Sequence, residues 1–157
     1  MRPRSLDEFL RKARIPYTTF QHPPTFTAEQ SAAVSHVPGR SWAKTVVCFA
    51  DHEPVFAVLP AHYTIDLERL RALSGAAALR LATPDEMKAL YPDCEEGAMP
   101  PFGDLYLQRV FVDQSLVGEP EMVFNAGTHT DCIRMHYGDF AHVAHPTVGP
   151  FGVRRKS

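Results

Sequence analysis

Two apolar runs, SWAKTVVCFA from Ser41 and VFAVLPA ending at Ala61, constrain this fold more than any other feature of the sequence. Asp51-His52-Glu53-Pro54 between them has the polar and proline content of a turn, so the two runs are predicted to form an antiparallel pair. In strand geometry Trp42, Lys44, Val46, Cys48 and Ala50 share one face, and Ala43, Thr45, Val47 and Phe49 share the other. Both faces are apolar apart from Lys44 and Thr45, and a strand of that kind is normally covered on both sides. An ammonium there carries a desolvation cost unless it is paired or opens onto a cleft. Lys44 can be an edge-strand charge that discourages aggregation, a snorkelling side chain, or a functional group; periodicity alone leaves these open.

Helices are expected around this sheet. Ser5 and Glu8 have capping-box spacing ahead of Leu6, Phe9, Leu10 and Ala13, and that helix should end near Pro16. Tyr17 to Phe20 can be a strand, followed by a turn at Pro23-Pro24 and a helix announced by Thr27 and Gln30 that stops before Pro38-Gly39. Asp66 opens LERLRAL, with Gly75 placed as its left-handed terminus, and ALRLA then reads as a strand. Thr83-Pro84-Asp85-Glu86 combines an N-cap, a proline at the first helical position and a capping-box glutamate. Gly97 to Gly103, GAMPPFG, is a loop, LYLQRVFVD a strand, and further strands are expected at Glu121 to Asn125 and Asp131 to His136 around the turn Ala126 to His129. Several links are too short for the crossovers that parallel pairing requires, so the expectation is a mixed sheet with flanking helices. No linker or repeat divides the chain, and residues 1–157 are expected to form one domain.

Composition narrows the classes. A net charge of −2 excludes a global positive field for nucleic acid, so any RNA contact has to be local. Arg2, Arg4, Arg11, Lys12 and Arg14 near the start, and Arg154, Arg155 and Lys156 near the end, are small basic clusters that read first as solvated surface. Cys48, Cys94 and Cys132 are odd in number and widely spaced, which points to a reducing cytoplasm rather than a disulfide framework. No apolar run approaches the roughly 20 residues of a membrane span, and MRPRSLDEFLRK has charge but no apolar h-region, so neither export nor membrane embedding is expected.

Three segments could carry chemistry. Lys44 is the first. The loop GAMPPFG is the second: Gly97 and Gly103 permit close backbone approach, Pro100 and Pro101 lower the entropy of ordering, and Phe102 could offer a stacking face. The third is Gly127-Thr128-His129, which presents a hydroxyl and an imidazole. His142 with His145 and Cys132 with His136 are the nearest approach to metal-ligand pairs, but neither belongs to a complete zinc pattern and no metal is expected. Standard nucleophile-elbow, Walker and dinucleotide motifs are missing.

In order and spacing, AKTVV, AVLPA, the G-x-x-x-P loop from Gly97 to Pro101 continuing to Phe102-Gly103, and NAGTH resemble the YbaK/ProRS-associated family of prolyl-tRNA synthetase editing domains. The resemblance implies an α+β fold with a mixed, partly barrel-like sheet surrounded by helices. It implies a trans-editing deacylase that hydrolyses the ester between a small wrong amino acid and the 3′ end of a tRNA, with Lys44 as the residue tied to activity. Thr45, Gly97, Pro100, Pro101, Phe102, Gly103, Gly127, Thr128 and His129 would then contact substrate. No cofactor is implied. The expected partner is a charged tRNA acceptor end, delivered by a synthetase or an elongation factor. Lys44 is followed by Thr45 rather than the asparagine of alanine-specific members, and NAGTH departs from the Gly-Gly-Lys-Arg-like turn of the cysteine-specific branch, so the amino acid stays open. A non-catalytic module that binds an aminoacyl-tRNA end or a small nucleotide is the alternative, and a metal-dependent hydrolase a third reading.

Overall fold

The computed structural model describes residues 4–23 and 27–155. Arg2, Pro24 and Lys156 lie outside the described residues, as do the side chains of Arg4 and Ser5 on which part of the first basic cluster and the first capping box rest. In chain order the elements are α1 (Arg4–Ala13), β1 (Thr18–Gln21), α2 (Ala28–Val34), β2 (Ala43–Ala50), β3 (Glu53–Pro60) and β4 (Tyr63–Ile65). They continue with α3 (Leu67–Ser74), β5 (Leu79–Leu81), α4 (Pro84–Leu90), β6 (Val110–Asp113), β7 (Glu121–Asn125), β8 (Asp131–His136), α5 (Tyr137–Ala144), β9 (Thr147–Gly149) and β10 (Gly152–Arg154).

The two apolar runs pair as expected, from Ala43 opposite Pro60 to Ala50 opposite Glu53. The hairpin is tighter than the sequence suggested: Asp51, at φ 56°, and His52 make the turn, while Glu53 and Pro54 already belong to β3. Pro54 is tolerated because alternate residues of β3 turn their backbone away from β2, where Phe56 N–H meets Arg109 C=O.

The main sheet has the order β5-β2-β3-β6-β9. Its first three strands are antiparallel, and β3, β6 and β9 are parallel. A second sheet, β1-β8-β7, is antiparallel, and β4 pairs with β10. The second sheet touches the first through one parallel bridge, Trp42 to Val123. The sheets are open rather than closed into a barrel.

Alternation along β2 and β3 separates two cores, as the double-sided patterning requires. Ala43, Val47, Phe56 and Val58 pack with Leu6 and Leu10 of α1, Phe140 of α5, and Phe124 and Ile133 of the second sheet. Cys48, Val55, Ala57 and Leu59 pack on the opposite face with Leu70 of α3, Phe111 and Phe151. Each fully buried Leu or Phe of this kind stabilises by about 1.5–3 kcal/mol relative to exposure.

Helix starts follow their sequence signals. Thr27 Oγ1 accepts from Gln30 N–H, Asp66 caps Arg69 N–H, and Thr83 and Glu86 form the reciprocal capping box. Gly75 ends α3 at φ 76°. The expected strand LYLQRVFVD is shorter than its pattern. Residues Gly103–Tyr106 form a 3-10 turn, Leu107 sits at φ 56°, and only Val110–Asp113 enters the sheet. The chain folds back there because Gln108 N–H bonds Gly103 C=O, with Gln108 C=O packed where a Cβ on residue 103 would lie.

Candidate functional site

The site begins as a gap along one edge of β2. Ser41, Ala43, Thr45 and Val47 turn their backbone groups away from β3; Ser41 C=O receives Val123 N–H and Val47 C=O receives Ala82 N–H. β7 thus attaches at one end and the β5 segment at the other, and among the described residues no strand pairs with Thr45 on that side. A cavity of about 200 Å³ fills the gap, lined by Lys44, Thr45, Gly97, Met99, Asn125 and His129, with Thr27 and Ala28 from the start of α2.

Lys44 is half-buried beside the cavity, and its Nζ donates to Ala61 C=O at 3.3 Å. Burial pushes the ammonium below its usual pKa, and among the described residues no carboxylate offsets that loss of hydration. A cation in this position is under-compensated and suited to a negatively charged or strongly polarised ligand. Thr45 is 7% exposed, and its Oγ1 has no hydrogen-bond partner among the described residues.

Two loops complete the wall. Gly97, at φ 79°, turns the first of them beneath the His129 ring. His129 is fastened to that loop twice, its N–H donating to Glu95 Oε1 at 2.7 Å and its Nε2 lying 2.6 Å from Glu96 C=O. A carbonyl accepts only, so Nε2 carries the proton in this contact and Nδ1 the lone pair. The second loop is braced by Gly127, at φ 97°, whose N–H bonds Ala98 C=O and whose C=O takes Glu95 N–H.

Lys44, Thr45, Gly97 and His129 therefore all line one cavity. Gly127 and Thr128 stand behind the wall. Thr128 Oγ1 donates to Asp131 Oδ2 at 2.7 Å and accepts from Thr130 and Asp131 N–H groups, so its hydroxyl is spent on the turn. Pro100, Pro101, Phe102 and Gly103 are buried away from the cavity. Phe102 in particular offers no stacking face: it is 0% exposed and packs against Phe9, Phe124 and Phe140, since a phenyl ring gains more from a core than from a wet cleft. Asn125, Met99, Thr27 and Ala28 are additional wall residues. Asn125 showed in the sequence only as a polar residue after the apolar run MVF, and Thr27 only as a helix cap, neither of which marks a site.

No cysteine fits a nucleophile's role. Burial raises Cys48 and Cys132 to about 12 and Cys94 to about 11, which leaves all three as thiols at neutral pH. Among the described residues no three His, Cys, Asp or Glu side chains come together as a metal site would need. No helix among them is long and apolar enough to cross a membrane.

The sequence profile of the aminoacyl-tRNA editing domain matches residues 22–143, a span that holds every wall residue of the cavity. The chain belongs to the aminoacyl-tRNA editing domain family. Among its relatives, the proline–tRNA ligase of Nitratidesulfovibrio vulgaris strain Hildenborough is 33% identical over 104 residues, 66% of this chain and 18% of the ligase. That of Anaeromyxobacter sp. strain K is 32% identical over 131 residues, 80% of this chain and 22% of the ligase. This editing domain thus spans about a fifth of the curated relatives it matches. Its fold is similar to the crystal structure of a candidate trans-editing enzyme for prolyl tRNA synthetase, with a TM-score of 0.83 and 21% identity over 98% of this chain and 96% of that one.

Proposed function

We propose that this editing domain, acting as one unit over residues 1–157, is a deacylase that works in trans on a tRNA mischarged with a small amino acid. The observation that carries the reading is the half-buried Lys44 ammonium, without a carboxylate partner among the described residues, in the wall of a cavity of about 200 Å³. That volume is below the roughly 300 Å³ at which pockets begin to take drug-sized ligands, so it suits a small aminoacyl group while the nucleotide stays outside. Selection by a second hydrolytic site answers a chemical need, because one methylene gives a synthetase pocket only about 1–3 kcal/mol of discrimination.

In this reading Lys44 anchors the terminal phosphate or the charge that develops at the ester, as a protonated lysine is a good phosphate clamp and a poor base. Water attacks the ester carbonyl carbon. Of the GAMPPFG residues only Gly97 and Met99 line the cavity, and their N–H groups, which make no hydrogen bond among the described residues, are the oxyanion donors. The bond to the ribose oxygen then breaks, that oxygen takes a proton, and free amino acid leaves. A ribose hydroxyl assists the water, and His129 orients the pocket, with Nδ1 as its one free acceptor. The reaction needs no metal. The relatives' ligase identity favours a synthetase over an elongation factor as the delivering partner.

Among the described residues no carboxylate lines the cavity, and all three cysteines stay protonated, which favours the non-catalytic binding module as second reading. A panel of tRNAs charged with alanine, serine, threonine, cysteine or proline separates the two. Ester loss with one or two small residues, lowered about 10²–10³-fold by Lys44→Ala and indifferent to chelator, is expected. RNA binding without turnover on any member would leave the binding module.

A further inference from the structure

A larger cleft, of about 480 Å³, is lined by residues on either side of Ala61, whose carbonyl receives Lys44. Ala61 C=O receives the Lys44 ammonium, while its neighbours Pro60 and His62 line the cleft. Because the residue that receives Lys44 and two residues that line the cleft are adjacent in the chain, the cleft borders the segment on which Lys44 rests.

The cleft has a built, basic character. Glu119 accepts from Ser41 Oγ at 2.9 Å and pairs with Arg40 Nε at 3.3 Å, which fixes the guanidinium while the Arg40 side chain stays 72% exposed. Arg154 enters from β10, beside Tyr63 in the β4 ladder, and no ion pair engages it among the described residues. Arg155, next to it, pairs with Glu29 and donates its backbone N–H to His62 C=O. The His62 ring occupies the space a Cβ on residue 39 would take, so glycine at 39 is what admits the imidazole. Two guanidinium groups and an imidazole thus face one carboxylate already committed to Arg40, and Ser115 adds a hydroxyl. Guanidinium forks with free Nη groups match phosphate oxygens.

We propose that this cleft is a second site, which takes the phosphodiester backbone of the single-stranded 3′ end whose last nucleotide is presented to Lys44. The proposal rests on the deacylase reading for its ligand, and it gives a role to the carboxyl-terminal basic cluster. Phosphate contacts set register and orientation, which a small ester pocket cannot do alone.

The test uses an uncharged RNA hairpin ending in CCA, with Arg154→Gln, Arg40→Gln, the double variant, and Lys88→Gln on exposed α4 as a charge control. Melting of each protein checks folding, and Arg154→Gln guards against loss of the Arg40–Glu119 pair. Each cleft variant should weaken binding several-fold at low salt and lower the salt slope by about 0.7, the value for one single-strand phosphate contact. The Lys88 control should change neither, and hydrolysis of a short aminoacyl-adenosine should be unaffected. Unchanged affinity and slope in a folded double variant would overturn the proposal, as would competition by millimolar inorganic phosphate as effective as competition by RNA. Loss of synthetase binding with RNA binding intact would also overturn it. RNA binding that depends on both arginines, without deacylation, would uphold the cleft and sink the deacylase; deacylation with unchanged KM in the double variant would do the reverse.

Discussion

Lys44 works against the fold that holds it. Its charged form is disfavoured by burial, so its pKa in the folded chain lies below the ordinary lysine value of 10.5. Below the folded pKa both folded and unfolded chains carry the proton, and the desolvation cost is present in full. As pH rises from that value towards 10.5 the folded chain loses its proton first, and the cost is relieved. Lys44→Met should therefore leave stability unchanged or raise it by up to about 1 kcal/mol, a gain of about 2–4 °C in Tm, while removing deacylation. Thermal melting and ester release on the same preparation check both halves; a large loss of Tm would show that Lys44 is structural. The pH dependence has the opposite sense for function: binding of a CCA-ended RNA should weaken as pH rises through the lowered pKa, an effect Lys44→Met abolishes.

At the scale of elements, the cavity exists because two strands, β5 and β7, meet the same edge of β2 at opposite ends and leave its middle unpaired. β5 reaches β2 only over Cys48 to Ala50, β7 touches it near Trp42, and the two loops fill the difference. The loops hold each other through Gly127, Ala98 and Glu95, and the Thr128 hydroxyl closes the turn that carries His129. Thr128→Val removes those hydrogen bonds at nearly constant volume and leaves two backbone N–H groups poorly satisfied. It should cost about 1–3 kcal/mol in urea unfolding and depress kcat by displacing His129, although residue 128 does not touch the cavity. The GAMPPFG motif is itself divided at this scale. Its first half lines the site, while Pro100 to Gly103 anchor that half in the core through Phe102.

Across the whole molecule, charge is local. A chain of net −2 has little long-range pull on RNA, and under the two proposals above its affinity comes from Lys44, Arg40 and Arg154. With about 0.7 of salt slope for each single-strand phosphate, three contacts predict a slope near 2 in log KM against log salt for a full mischarged tRNA. A slope of 6 or more, measured between about 50 and 200 mM salt, would require a surface these residues do not supply.

The patterned runs of β2 and β3, the caps at Thr27, Asp66 and Thr83, and the glycine ending α3 were legible in the sequence because each is enforced within a few residues by alternation or by an orphan N–H. Lys44 and the two glycine loops were legible for a related reason, as charge and backbone freedom placed where local patterning has no use for them. The fate of Phe102, the truncation of LYLQRVFVD and the recruitment of Asn125 were not, since each depends on what lies opposite in space: Phe124 and Phe140, the Gly103 turn, and the divergence of β7 from β2. The same holds for Arg40, His62 and Arg154, which are far apart in the chain and come together only where the β3–β4 turn meets β10. Sequence set which segments could be strands, helices and turns, because those choices are short-range. Only the tertiary structure decided which of their side chains share a cavity, because that follows from where strands part.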